Sequence, residues 1–215
     1  MTCTTHHDAC ECREAAHAAE IARLTAEVAE LRKGAPLFWR TWAMPNANTF
    51  DVKPIGDFVR RYLNGVSVDP FARDKRWATH TNDLNPSTAA QHHLDAVAFL
   101  ELLHSQSIVA DCILLDPPYS PRQISECYAA AGLKAGMKDT QNAALYARVR
   151  AACLPLCKVG TVVLSFGWNS AGMGAHSRFE TIETMLVAHG GAHNDTICLA
   201  QRMVGDPLDA ARSKT

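Results

Sequence analysis

Cys112-Ile113-Leu114-Leu115-Asp116-Pro117-Pro118-Tyr119 is the most informative stretch of the chain. Its first four residues are apolar, and the buried strand that we predict here covers residues 108–115. Two successive prolines then remove two N–H donors and fix φ, so the strand cannot continue past Asp116. In open α/β sheets, ligands bind beyond the carboxyl ends of the strands. The residues that follow Leu115 are therefore predicted to form part of a binding site.

Short apolar strands alternate with helical stretches from residue 50 onwards. This alternation is typical of a parallel sheet that is covered on both faces, and it predicts an α/β fold with a Rossmann-like sheet. The predicted helices are 58–63, 96–104 and 142–153. The other predicted strands are 66–68, 77–83, 159–166, 185–189 and 196–203, the last two forming a closing, hairpin-like pair.

The N-terminal residues differ from the rest of the chain. Ile21, Leu24, Val28 and Leu31 repeat with spacings of three, four and three, which is an a/d seam over two heptads. The seam predicts either a coiled coil that pairs two copies through residues 14–33 or a helix that packs on its own domain. The linker-like Gly34-Ala35-Pro36 places the domain boundary between 1–34 and 35–215.

Cysteines and histidines cluster before this helix, at Cys3, His6, His7, Cys10, Cys12 and His17. One residue separates Cys10 from Cys12, whereas paired cysteines of structural zinc sites are usually two to four residues apart. A tail without a metal is the favoured prediction, and a metal site is the alternative. The N-terminus lacks a secretory signal, and no apolar run approaches the ~18 residues of a membrane span. A cytoplasmic protein without a membrane partner is expected.

The charge balance limits how the chain would contact nucleic acid. The net charge is −1, and because residues 1–34 contain six acidic and four basic side chains, residues 35–215 carry +1. Strong nonspecific binders of nucleic acid usually have a clear basic excess. Any contact with DNA is therefore predicted to be local or modest in affinity.

The residues after Leu115 suit chemistry on a planar amine. An exocyclic base amine is a poor nucleophile, and acceptors must hold its N–H groups before it can attack a methyl sulfonium. Asp116 supplies a carboxylate oxygen, Pro117 a backbone carbonyl, and Tyr119 a face on which an extruded base can stack. Phe166 or Trp168 would either form a wall of the base pocket or pack in the core. The alternative interpretation of the motif is a proline turn that only ends a strand.

Asp116-Pro117-Pro118-Tyr119 resembles the catalytic motif of class I S-adenosylmethionine-dependent amino-methyltransferases, which act on N6 of adenine or N4 of cytosine. The aspartate at the first position of the motif resembles the adenine-specific branch of this family. The sequence pattern from about Phe50 to Met203 is similar to that of small phage-type DNA N6-adenine methyltransferases. The resemblance implies a class I methyltransferase sheet, S-adenosylmethionine as cofactor and DNA as partner. It also implies that Asp116, Pro117, Pro118 and Tyr119 are catalytic.

The same resemblance implies a cofactor site. Asp83 would accept hydrogen bonds from the ribose hydroxyls, and Asp95 from the adenine amine of the cofactor. An aspartate before a helix is, however, most often an N-cap. The full set of implied cofactor residues is Phe50, Lys53, Asp69, Pro70, Phe71, Asp83 and Asp95.

One segment departs from the family pattern. Ala72-Arg73-Asp74 stands where the family usually has a glycine-rich turn, and glycine lets the backbone approach a ligand closely. Because of this departure, an alternative hypothesis is that the protein is a catalytically inactive relative that only binds DNA. Methyltransferases of RNA bases and of protein glutamine remain alternatives as well, since similar motifs serve planar amines and amides.

Overall fold

The computed structural model describes residues 14, 16–24, 27, 35–132, 142–174, 178–191 and 193–205. The chain divides into two compact units, Met1–Pro36 and Leu37–Thr215. In the first unit, residues 16–24 are helical. Val28 and Leu31 of the predicted seam lie outside the described residues, as do all the candidate metal ligands at Cys3, His6, Cys10 and Cys12.

The described part of the N-terminal helix is polar and solvated. Ile21 and Leu24 are exposed, and the guanidinium of Arg23 pairs with the carboxylates of Glu20 and Glu27 at 2.8 and 3.0 Å. Pairs at i+3 and i+4 spacing contribute a few tenths of a kcal/mol to an isolated helix. The choice between a coiled coil and a helix packed on its own domain stays a prediction.

The second unit is built on one sheet of seven strands. The strands are β1 Leu37–Trp42, β2 Ser67–Asp69, β3 His80–Thr81, β4 Ala110–Leu115, β5 Cys157–Gly167, β6 Phe179–Ala188 and β7 Thr196–Met203. Their spatial order is β1-β6-β7-β5-β4-β2-β3. Neighbouring strands are parallel except at β7, which is antiparallel to both β5 and β6. This mostly parallel α/β sheet is compatible with a Rossmann-like fold.

Both faces of the sheet are apolar, and a core lies on each. The helices of the unit are α1 Lys53–Tyr62, α2 Ala96–Ser105, α3 Pro121–Ala130 and α4 Asn142–Cys153. Side chains of α1 share one core with Cys112 and Leu114, and side chains of α2 and α4 share the other with Ile113 and Leu115. Successive residues of β4 thus face opposite cores, which explains its unbroken apolar run. Among the described residues, no helix is long and apolar enough to cross a membrane.

The direction of the chain through the sheet reverses beside β4. From β2 the chain enters β3 on one side, and after α2 it returns to β4 on the other side of β2. Such a topological switch point leaves a crevice outside the carboxyl ends of the two central strands. Asp69 ends β2 and Asp116 follows β4, so both residues lie at this crevice.

Several predicted elements are confirmed, and the differences have local causes. The strands predicted at 108–115, 159–166 and 196–203 and the helices at 96–104 and 142–153 are present within two residues at each end. The strand predicted at 77–83 is wrong in extent, because only His80–Thr81 pairs with β2. The helix predicted from residue 58 begins at Lys53, where Pro54 fits the first turn. The strand predicted at 185–189 begins at Phe179, and β1 and α3 were not predicted.

Candidate active site

Asp116 accepts hydrogen bonds from two hydroxyl groups. The phenol of Tyr119 donates to its Oδ1, and the hydroxyl of Thr49 donates to the same carboxylate. Burial raises the pKa of Asp116 to about 6, and the Thr49 hydroxyl and the Arg73 guanidinium oppose that rise. The side chain is therefore mainly a carboxylate at neutral pH, with its remaining lone pairs available as acceptors.

The rest of the motif is held rigidly after β4. Pro117 is buried, and the backbone N–H of Tyr119 donates to Oε1 of Gln123 at 2.7 Å. The hydroxyl of Ser120 caps α3 by accepting from the N–H of Gln123. These contacts use the local polar groups of the turn, so the segment from Asp116 to Tyr119 has a single defined backbone path.

The ring of Tyr119 lies on the end of β5. A Cβ atom at Gly167, whose φ is +149°, would come within 3.3 Å of this ring. The ring centroid of Trp168 is 5.7 Å from that of Tyr119, and 46% of Trp168 is exposed. The two aromatic rings thus stand together at the mouth of the crevice, with one of them open to solvent. Phe166 packs in the core against Phe50 and also lines the pocket between β4 and β5.

A cleft of about 490 Å³ opens on the β2 and β3 side of Asp116. Its walls include four of the predicted cofactor residues and Pro118 of the motif. They are completed by side chains of α3 and of the segment that precedes α2. The lining residues are Pro70, Phe71, Asn82, Asp83, Leu84, Leu94, Asp95, Ala96, Pro118, Ile124, Cys127, Tyr128 and Leu145.

Asp69 carries a buried acceptor that has no partner. Its exposed fraction is 1%, and its Oδ1 accepts from the N–H of Phe71 at 3.0 Å. Its Oδ2 is buried and makes no hydrogen bond. Burial, together with the nearby charges of Asp116 and Asp83, raises the pKa of Asp69 to about 8, and the hydrogen bond from the N–H of Phe71 opposes that rise. A buried polar atom without a partner is rare in native proteins, so this oxygen is a candidate contact for a bound ligand.

Asp83 and Asp95 shape the cleft and also hold the backbone. The carboxylate of Asp83 accepts from the N–H groups of Arg73 and Asn85 at 3.1 and 2.8 Å. Asp95 is the N-cap of α2 and accepts from the N–H of Val97 at 3.0 Å. The N-cap interpretation of Asp95 is therefore correct, and the residue lines the cleft as well. Each carboxylate retains lone pairs for a further donor.

Phe50 and Lys53 do not line the cleft. Phe50 is a core residue, with its ring 4.9 Å from Phe166 and 5.9 Å from Trp77. Lys53 begins α1, and its exposed ammonium pairs with Asp57 at 2.6 Å. The chain next to Phe50 still reaches the site, because the hydroxyl of Thr49 bonds to Asp116.

The turn after β2 forms without glycine. Arg73 adopts a φ of +51°, the left-handed region that glycine enters most easily. Its guanidinium donates to the carbonyl of Ala47, and its N–H bonds to Asp83. The buried amide of Asn82 donates to the carbonyls of Pro70 and Leu94 and fixes the turn against the start of α2. These contacts stabilise a conformation that costs a non-glycine residue about 1–2 kcal/mol.

A second, shallow pocket lies between the carboxyl ends of β4 and β5. Arg150 donates to the carbonyls of Tyr146 and Gly172 and closes one side. Burial raises the pKa of Tyr146 to about 12, and the charge of Asp116 adds to the rise. The lining residues are Leu115, Pro117, Tyr146, Val149, Arg150, Ser165, Phe166, Asn169 and Gly172.

The α4 residues of this pocket were missed because the sequence predicts α4 only as a helix that covers the sheet. The four-residue spacing of Tyr146 and Arg150 places both on one helical face, which was the available signal. Arg122 of α3 pairs with Glu126 at 2.7 Å. In the part of the chain that is described, no three His, Cys, Asp or Glu side chains are grouped to hold a metal ion.

Compared with known proteins, the chain matches no family model and no curated sequence. The case for a function therefore rests on the geometry and chemistry of the crevice.

Proposed function

We propose that this chain is an S-adenosylmethionine-dependent methyltransferase that methylates the N6 amine of adenine in DNA. The observation that carries the proposal is the position of Asp116-Pro117-Pro118-Tyr119 at the switch point of the sheet, between two pockets. We assign the cleft beside β2 to the cofactor and the side of the motif that faces β5 to the target base. A class I methyltransferase sheet is part of the same proposal.

The cleft beside β2 suits a cationic cofactor. When bound, S-adenosylmethionine supplies a methyl group on an electrophilic sulfonium centre. Asp83 and Asp95 line the cleft and retain acceptor capacity for the ribose hydroxyls and the adenine amine. The free Oδ2 of Asp69 matches the ammonium group of the cofactor. Acidic side chains that repel one another stabilise a bound cation, so the charges fit this cofactor class.

The motif supplies the acceptors for the target amine. The Asp116 carboxylate and the Pro117 carbonyl accept the two N–H bonds and keep the nitrogen lone pair directed at the methyl group. In such a transfer the carbon–sulfur bond of the cofactor would break as the carbon–nitrogen bond forms, leaving the neutral thioether S-adenosylhomocysteine. The Asp116 carboxylate would accept the proton that the amine loses and pass it to solvent. Tyr119 and the exposed Trp168 form the aromatic wall against which an extruded base stacks.

The absence of glycine after β2 does not favour an inactive protein. Arg73 already holds the left-handed conformation that the glycine-rich turn would supply, and it places its N–H on Asp83. The cleft is open, and both Asp116 and Asp69 are in place. We therefore favour an enzyme over an inactive DNA-binding relative.

The test is a transfer assay with radiolabelled cofactor on DNA, total RNA and protein, followed by sequencing of DNA for N6-methyladenine after expression in a methylation-deficient host. We expect label in DNA, and loss of that label in Asp116→Ala with cofactor binding retained. Label in RNA or protein alone would assign another substrate. A protein that binds cofactor and labels none of the three would refute the proposed activity.

A further inference from the structure

Ser165 carries the second buried polar atom without a partner. Within the described residues, the only buried side-chain oxygens that make no hydrogen bond are Oδ2 of Asp69 and Oγ of Ser165. Asp69 ends β2 and Ser165 lies near the end of β5, so the two belong to the strands on either side of β4. Ser165 pairs in register with Leu115, the residue that precedes Asp116.

The position of Ser165 links its hydroxyl to the target amine. Ser165 lines the pocket between β4 and β5 together with Pro117, whose carbonyl is a proposed acceptor of that amine. An unsatisfied buried hydroxyl costs about 1–3 kcal/mol, and replacement by alanine would remove this cost at little loss of packing. Retention of a hydroxyl at this position is explained if a bound molecule completes its hydrogen bond.

We propose that the Ser165 hydroxyl donates to a ring nitrogen beside the target amine of the flipped base. This inference rests on the proposed methyltransferase function. Neighbouring strands are about 4.8 Å apart, so a donor on β5 lies one strand away from the acceptors that follow β4. In adenine, ring nitrogens N1 and N7 flank the exocyclic amine on two different edges of the base, and both are acceptors. A hydroxyl donor at Ser165 is thus complementary to a purine whose amine is held by Asp116 and Pro117.

The bond can be tested by crossing a protein variant with base analogues. Ser165→Ala is compared with the wild type on oligonucleotides that carry adenine, 1-deazaadenine or 7-deazaadenine at the target position. Loss of one neutral hydrogen bond lowers kcat/KM by about tenfold. We expect kcat/KM of Ser165→Ala on adenine to be about tenfold below that of the wild type. On the one analogue that lacks the contacted nitrogen, the variant and the wild type should have equal kcat/KM. Ser170→Ala, in the exposed loop after the same strand, is the matched control and should behave as the wild type.

The stability of the variant separates this role from a structural one. Ser165→Ala removes an unsatisfied hydroxyl, so its Tm should be equal to or above that of the wild type. A lower Tm together with equal losses on all three bases would show that the hydroxyl serves the fold and would overturn the inference. Unchanged kcat/KM of Ser165→Ala on adenine would also overturn the inference. So would a result in which the loss caused by the variant multiplies the loss caused by the analogue for both 1-deazaadenine and 7-deazaadenine. A wild type that methylates no nucleic acid would instead refute the proposed function itself.

Discussion

Replacing Asp69 with asparagine is expected to weaken cofactor binding and to remove its pH dependence. Oδ2 of Asp69 is buried without a partner at the cleft that we assign to the cofactor. A hydrogen bond between charged groups contributes about 1.5–3 kcal/mol, which corresponds to a rise in Kd of about 10- to 150-fold in Asp69→Asn. The variant keeps the shape of the side chain and its acceptor for the N–H of Phe71, so the turn should persist.

The pH dependence follows from the pKa of Asp69, which burial raises to about 8. Only the carboxylate pairs fully with an ammonium group, so a preference for the carboxylate of about 10- to 150-fold should raise wild-type affinity by about 5- to 30-fold in total between pH 6 and pH 8. The folded state retains a proton that the unfolded chain releases near pH 4. Stability therefore falls as pH rises from 4 to 8, by at most about 5 kcal/mol. Asp69→Asn should lack both trends.

The assay is calorimetric titration with S-adenosylhomocysteine, the demethylated product, at pH 6, 7 and 8, paired with denaturant unfolding at the same pH values. Asp57→Asn, which alters an exposed acid of α1, is the matched control and should titrate as the wild type. Equal affinity of the wild type and Asp69→Asn at pH 8, with the same slope below it, would show that no ligand cation reaches Asp69.

Three further predictions concern other parts of the chain. Asp116→Ala should lower kcat by about 10²–10³-fold with unchanged cofactor affinity. Because burial raises the pKa of Asp116 to about 6, wild-type activity should fall as the pH drops through 6. A flat activity profile down to pH 5 would contradict the role of Asp116. Glu183→Ala should lower the free energy of unfolding, measured in denaturant, by about 3 kcal/mol, because its buried carboxylate accepts from Trp39, Arg61 and Tyr62. The control Glu180→Ala breaks only an exposed ion pair and should change it by under about 1 kcal/mol. Equal effects of the two variants would be incompatible with this account. Deletion of residues 1–34 should leave a folded unit that binds cofactor, and light scattering should show a monomer if the predicted seam pairs two copies; an insoluble product would mean that the boundary is misplaced.

The sequence revealed the parts of the site that depend on local chemistry. The apolar run of β4 and the two prolines after it are contiguous in sequence. The strand, its end and the acceptors that follow it can therefore be predicted from one short segment. Asp83 and Asp95 could be predicted as site residues because Asp83 follows β3 and Asp95 precedes α2. Ser165 gave no such signal, since its importance arises only from the pairing of β5 with β4. Strand order is a long-range property that the spacing of apolar residues does not encode.

Two missed elements show where local patterns mislead. β1 is an edge strand in which Phe38, Arg40 and Trp42 are all exposed, so its polarity does not alternate as in a half-buried strand. The helix α3 had a legible start, with Ser120 as N-cap and proline in the first turn.

The placement of Asp69 and Asp116 on neighbouring strands couples the ionisation of the two carboxyl groups. The charge of Asp116 makes ionisation of Asp69 less favourable, so near neutral pH Asp116 carries the negative charge and Asp69 holds a proton. Under the proposed function, a cation bound beside Asp69 would favour the carboxylate form of that side chain and release its proton. Binding of the cofactor would then be coupled to proton release, and the crevice would exchange a proton for a cation at nearly constant net charge.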